Sequence, residues 1–168
     1  GFGLLVRAWE KVAAVHPDWK LEIWGDGPER GSLERLVREK GLEKNVLLRG
    51  ATGEVQEKLL QSSMLVFPSL FEGFGMVLVE AMACGVPCVA FECPCGPRDV
   101  ISPEEDGLLV PPGDTDALAR AIIRLMEQSE LRSRMGEAAR NKAVRYAMDA
   151  VCAAWMDLFR QLNSSSSR

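Results

Sequence analysis

The chain has no excess of positive charge. Its 20 Lys and Arg stand against 24 Asp and Glu, a net charge of −4, which removes the electrostatic footprint that a nucleic-acid-binding surface needs. It has no long uninterrupted apolar run either. The longest candidate, Gly73 to Phe91, is broken by Glu80, Gly85 and Pro87, so it reads as a helix and a strand of a buried core and not as a membrane span. No secretory pattern opens the sequence. Without one, five cysteines, an odd number, favour reduced thiols. No zinc-ribbon spacing occurs among them. Cys93 and Cys95 flank a single proline, and Cys84 and Cys88 lie in apolar context, where cysteine acts as a small core residue; Cys152 stands apart. No metal site is expected. No internal repeat is visible.

What is present is an ordinary globular composition, 47% hydrophobic and 26% charged. It suffices for one domain over 1–162, followed by a polar tail over 163–168 with four consecutive serines. The chain is organised around Phe67 to Glu80. Met64-Leu65-Val66-Phe67 is a short apolar run stopped by Pro68, as expected of a parallel strand covered on both faces. Gly73 and Gly75 permit a tight loop, and Met76 to Cys84 is helix material ended by Gly85 and Pro87. The first amides of such a helix lack internal partners and carry partial positive charge, so Gly73-Phe74-Gly75-Met76 is a natural anion site. Between Gly73 and Phe91 the only charged residue is Glu80, one helical turn after Met76 and on its face. Glu72 precedes the loop. Two carboxylates bracketing an amide-lined phosphate pocket suit the hydroxyls of a nucleotide sugar, one for ribose and one for the hexose. A structural reading stands beside this one: Glu80 in a buried pair with an arginine, Glu72 facing water.

The remaining segments alternate. Gly1 to His16 is a helix with apolar positions at Leu4, Leu5, Ala8, Trp9, Val12 and Val15. In an alternating α/β chain it should return from a strand, so one strand position in the sheet is expected to be empty. Trp19 to Trp24 is a strand ending in Gly25-Asp26-Gly27-Pro28, and Gly31 closes a Gly-x-Gly-x-x-x-Gly pattern. That pattern is one residue too long for the dinucleotide fingerprint, and Pro28 removes an amide from the turn. A nicotinamide-dependent oxidoreductase domain and a plain tight turn both remain readings of it. Ser32 to Lys40 and Glu54 to Gln61 are helices. Asn45 to Leu48, Pro87 to Phe91 and Gly107 to Val110 are strands, and Cys93 to Arg98 is a loop. Three helices close the chain, Asp116 to Gln128, Glu130 to Val144 and Met148 to Leu162. The expected fold class is α/β, a doubly wound, Rossmann-like parallel sheet. Its ligand should lie beyond the carboxyl ends of the strands, at the loops near Gly25, Gly50, Pro68 and Cys93.

Several motifs occur in order. Glu72 and Glu80 are separated by seven residues, with Gly73-Phe74-Gly75 after the first, Pro68-Ser69 before it, and Ala81-Met82-Ala83-Cys84-Gly85-Val86-Pro87 after the second. From about Gly1 to Phe159 the chain resembles the C-terminal, donor-binding half of the retaining glycosyltransferases with the two-domain GT-B fold, the family often called GT4. The resemblance implies a nucleotide-diphospho-sugar as donor substrate, no cofactor and no bound metal. It implies that Glu80 holds the ribose and that the amides of Phe74, Gly75 and Met76, in the loop opened by Gly73, hold the distal phosphate. Glu72 would hold the sugar ring and is the catalytic candidate. The loop at Gly27 would face the donor, and Arg49, Ala51 and Thr52 would lie near the base. Gly96-Pro97-Arg98-Asp99-Val100-Ile101 resembles a segment of members that build surface polysaccharides; Arg98 either helps hold the phosphates or is solvated. An arginine and a lysine that grip the diphosphate in this family are absent, and Gly1 matches the residue after that lysine. No covalent nucleophile is assigned. Asp114-Thr115-Asp116 mimics the metal motif of another glycosyltransferase class, yet Asp114 stands where a helix N-cap belongs.

The implied whole is a hexosyltransferase acting on a glycan or lipid-linked acceptor in polysaccharide biosynthesis. It would have an N-terminal acceptor-binding domain, a cytoplasmic location and, at full length, a place at the inner face of the cell membrane. A non-catalytic nucleotide-sugar-binding module is the remaining alternative.

Overall fold

Five short apolar runs form strands, and each is too short to be stable alone. The structure, a computed structural model, describes residues 1–165. The strands are β1 (Leu21–Trp24), β2 (Val46–Gly50), β3 (Leu65–Phe67), β4 (Cys88–Phe91) and β5 (Gly107–Val110). Between and after them lie α1 (Phe2–Val15), α2 (Arg30–Glu39), α3 (Val55–Leu60), α4 (Met76–Ala83), α5 (Pro97–Val100), α6 (Thr115–Glu127), α7 (Ser129–Ala143), a 3-10 turn (Val144–Tyr146) and α8 (Met148–Ser165).

All strand pairs are parallel, and the strands form two pieces, β1–β2 and β3–β4–β5. Helices cover both faces. β4 shows why: its four residues are all fully buried and alternate between two cores. Val89 and Phe91 pack with Leu5, Trp9 and Val12 of α1 and Leu118, Ile122 and Leu125 of α6. Cys88 and Ala90 pack with Leu78 and Met82 of α4 and Ala139 of α7. A strand buried on both faces must be apolar throughout, which is why the run Cys88–Phe91 carries no alternation in the sequence. Burial pushes the Cys88 thiol up to about 12, with the Asp106 carboxylate adding to the effect.

Asp106 is the one buried charged residue among the described residues. It accepts hydrogen bonds from the Ser102 amide and from Lys142 Nζ, each at 2.8 Å, tying β5 to α7. Asp114 accepts from the Ala117 amide at 2.8 Å and caps α6, while Asp116 pairs with Lys11 across α1 and α6. The Asp-x-Asp spacing is thus used for a cap and a surface clasp.

Most boundaries shift by one or two residues from the sequence expectation, and three differences are larger or change an element. β2 continues through Arg49 and Gly50, because Trp24 pairs with Gly50 after a bulge and Gly25 N donates to Gly50 O at 2.8 Å. The stretch expected as a loop over Cys93 to Arg98 ends in helix α5. Pro97 sits at its first turn, where a missing amide costs nothing. α8 runs past Leu162 to Ser165; the tail beyond lies outside the described residues.

Gly136 of α7 marks a close approach to the end of α4. A Cβ there would lie 2.2 Å from the Gly85 carbonyl oxygen, at the turn ending α4. Gly136→Ala should therefore lower stability by about 1–3 kcal/mol through overpacking. Gly31→Ala, facing open space at the start of α2, should raise it by about 0.5 kcal/mol. Urea unfolding midpoints check both signs; equal effects would contradict the packing described.

Candidate functional site

The loop after β3 reverses direction at Gly75, whose φ of 80° and ψ of 57° are left-handed. A side chain there is strained, and its Cβ would sit 3.2 Å from Leu78 Cδ1 and 3.4 Å from Phe67 Cζ. Gly75 is the N-cap of α4, so no side chain caps the helix, and no acidic residue occupies its first turn. The Gly75 carbonyl accepts from the Leu78 amide at 2.9 Å. Met76, exposed, begins the helix, and its amide has no backbone acceptor among the described residues. The positive end of α4 opens at the carboxyl edge of the strands.

Glu80 follows one turn later. The sequence expectation of a carboxylate embedded in an apolar helix is corrected: Glu80 is exposed and holds no ion pair or hydrogen bond among the described residues. Leu78, Val79, Ala81 and Met82 take the buried positions, and Glu80 falls on the remaining outer face. The buried Arg–Glu reading is thereby removed.

Glu72 is half-buried. The turn after β4 packs behind it: Gly96, with φ of 67°, would place a Cβ 2.5 Å from the Phe74 carbonyl oxygen and 3.4 Å from Glu72 Cβ. Burial raises the Cys93 thiol above its ordinary range, and the nearby Glu72 carboxylate raises it further. On the other side the Phe74 ring meets Tyr146 edge-on, with centroids 5.8 Å apart. The loop Glu72 to Met76 is therefore held between the Cys93–Gly96 turn and the 3-10 turn after α7. Gly96 was legible as the glycine before Pro97. Tyr146 lies far along the chain and belongs to no motif, so sequence reasoning had no signal for it.

The other predicted residues fall into two places. Arg98 lies close to the loop in sequence order through Gly96; it is exposed and pairs with Glu92 at 3.2 Å. At the ends of β1 and β2, Arg49 pairs with Glu22 at 2.6 Å, and Thr52 Oγ1 accepts from the Glu54 amide at 3.0 Å, opening α3. Gly27 is exposed, donates its amide to Asp26 at 2.8 Å, and accepts from the Arg30 amide at 3.1 Å, opening α2. Thr52, Ala51 and Gly25 line one cleft with Pro68 and Ser69; Glu72, Glu80, Arg49, Gly27 and Arg98 lie outside it.

These features define a parallel α/β domain with an anion-receptive helix start at the carboxyl edge of its strands. The chain belongs to the family described as Glycosyl transferases group 1, whose sequence model matches residues 1–142. It is 41% identical over 160 residues to an exopolysaccharide phosphotransferase of Streptomyces coelicolor, covering 95% of this chain and 17% of that protein. Staphylococcus aureus TarM, solved in complex with Fondaparinux, alpha-GlcNAc-glycerol and UDP, superimposes with a TM-score of 0.88 at 30% identity, over 93% of this chain and 32% of that one. The C-terminal domain of a glycosyl transferase group 1 family protein from Francisella tularensis gives a TM-score of 0.81 at 25% identity, over 88% and 80%. The chain thus spans about a sixth to a third of the two longer proteins. Its fold is that of the C-terminal domains of GT-B glycosyltransferases.

The clamp on the loop yields a test. Gly96→Ala forces a side chain into the left-handed region and against the Phe74 carbonyl, and should cost about 2 kcal/mol or more. Gly27→Ala, with open space around it, should stay within about 0.5 kcal/mol. Urea midpoints of the two variants decide it, and matching values would show that the Cys93–Gly96 turn does not hold the loop.

Proposed function

We propose that this chain, over 1–162, is the nucleotide-diphospho-sugar-binding domain of a retaining glycosyltransferase. The full-length enzyme moves a hexose to a glycan or lipid-linked acceptor in surface polysaccharide synthesis. The observation that carries the reading is the start of α4, a glycine-capped helix end with free amides, flanked by Glu72 and by an unpaired Glu80.

The chemistry follows from charge. When the bond between the anomeric carbon and the diphosphate breaks, negative charge grows on the leaving phosphate. Amides of Phe74, Gly75 and Met76, in a loop held by backbone packing, would stabilise that charge with little reorganisation. Ionised carboxylates only accept hydrogen bonds, so Glu80 would take the ribose hydroxyls and Glu72 those of the sugar ring. The loop at Gly27 would face the donor, and Arg49, Ala51 and Thr52 would border the base. Arg98 would turn from Glu92 to the phosphates; an exposed pair of that kind is worth about 0–1 kcal/mol, so the exchange is cheap. TarM was solved with UDP, which supports a uridine diphosphate donor. An N-terminal domain would carry the acceptor. We place the full-length protein in the cytoplasm, at the inner face of the cell membrane; no helix among the described residues is long and apolar enough to cross a membrane.

The name of the Streptomyces relative supports a second reading, in which the domain binds a nucleotide sugar within a phosphotransferase without itself transferring the sugar.

Two outcomes are expected. Glu80→Gln should weaken UDP binding by about 1–3 kcal/mol, the loss of a charge-assisted hydrogen bond, and leave the unfolding midpoint unchanged because Glu80 is exposed and has no hydrogen-bond or ion-pair partner among the described residues. Glu72→Ala should spare UDP and weaken only UDP-sugar. Calorimetry with both ligands checks this; unchanged UDP affinity in Glu80→Gln removes its ribose role. The chain alone should not transfer sugar, because one wall of the cleft cannot position two reactants, a contribution of about 7–11 kcal/mol in favourable cases. Sugar transfer to acceptor by the chain alone, at the full-length rate, would show the active site to be complete here.

A further inference from the structure

Phe74 has little to hold it locally. Glycine stands on both sides of it, and Gly75 is left-handed. Its side chain is 40% exposed and belongs to neither core. The amides of Phe74, Gly75 and Met76 have no backbone acceptor among the described residues. A loop of this kind aims its amides only if something outside it fixes them.

Two contacts from distant segments do so. Gly96 lies behind the Phe74 carbonyl, where an added Cβ would fall 2.5 Å from the oxygen. That carbonyl and the Gly75 amide share one peptide plane, so the contact bears on the Gly75 amide. The second contact is the Tyr146 ring, which meets the Phe74 ring with 5.8 Å between centroids and 69° between planes. Edge-to-face is a preferred arrangement of two aromatic rings, so it fixes direction as well as distance. The Phe74 side chain leaves from the Cα that joins the Gly75 amide plane to the plane of its own amide.

Tyr146 is anchored in turn. It is half-buried and packs against the core that Leu78, Met82, Ala139 and Ala143 help to form. Four residues before it, Lys142 Nζ donates to Asp106 and to Ser102 Oγ, each at 2.8 Å. That buried pair ties the end of α7 to the turn before β5, and with it the 3-10 turn that carries Tyr146.

We infer that Tyr146 is a positioning residue of the phosphate site: its ring holds Phe74 so that the amides of Phe74, Gly75 and Met76 converge on the distal phosphate. This role rests on the reading of the loop as the distal-phosphate site. The contact is ring to ring, so the Tyr146 hydroxyl has no part in it. Nor does the nucleoside end of the site depend on it. Glu80 stands on α4 itself, whose phase is set by Leu78 and Met82 in the core. Tyr146 therefore acts on the distal phosphate and not on the ribose.

The test is calorimetry with uridine monophosphate (UMP) and UDP, which differ by the distal phosphate. The ratio of the two Kd values isolates that phosphate. Tyr146→Ala should cut the ratio about fivefold, the weight of one aromatic pair, by weakening UDP while UMP binds as in the parent chain. Tyr146→Phe should keep the parent ratio. In a Phe74→Ala background, Tyr146→Ala should change the ratio no further, because the two act through one contact. Should Tyr146→Ala fail to fold, Tyr146→Leu, which keeps apolar bulk against the core, replaces it with the same expectation. An unchanged ratio in a folded variant, an equal loss for UMP and UDP, the same loss in Tyr146→Phe, or additive effects in the double variant overturns the inference and leaves the phosphate reading of the loop standing. Equal affinity of the parent chain for UMP and UDP overturns that reading itself, and this role with it.

Discussion

One backbone constraint governs the candidate site: the chain must turn left-handed at Gly75, between a buried strand and a buried helix. Only glycine takes that turn without strain, with Phe67 and Leu78 in van der Waals reach of any added side chain. The same choice leaves α4 without a side-chain cap. A helix end without a cap or acidic first turn keeps its amides and partial positive charge available to an anion. The turn also sets the helical phase, which sends Leu78 and Met82 into the core and leaves Glu80 outside, one turn from the helix start.

The scaffold supports this by burying the strands on both faces. β4 divides its side chains between two cores, so α4 and α7 on one face and α1 and α6 on the other are held through a single strand. The charge admitted to this interior is compensated: Asp106 receives both an amide and Lys142. The ion pairs near the site, Arg49 with Glu22 and Arg98 with Glu92, are exposed. Pairs of that kind contribute little to stability and leave arginines free to change partner. Around the strand ends, rigidity thus comes from backbone packing at Gly75 and Gly96 while the charges stay exchangeable.

Elements set by local chemistry were legible in the sequence. The strand Gly107–Val110, the cap at Asp114 and the helix after Gly75 follow from apolar runs, turn residues and capping, and they stand where those signals put them. Features set by long-range packing were not. The exposure of Glu80 depends on which neighbours fill the other faces of α4. The Tyr146 contact to Phe74 and the Gly96 contact to the Glu72 loop join segments that no spacing rule connects. The helix α5 was hidden because proline at a first helical turn and proline in a loop leave the same local mark.

The central claim is that the helix start at Gly75 receives the distal phosphate of a nucleotide sugar. The most direct measurement is a nitrogen–proton NMR titration of the chain with UDP-sugar. The account predicts the largest shifts at the amides of Phe74, Gly75 and Met76, with smaller ones near Glu80. Shifts confined to the Gly25–Gly31 loop, or an equal response to a nicotinamide dinucleotide, would contradict it.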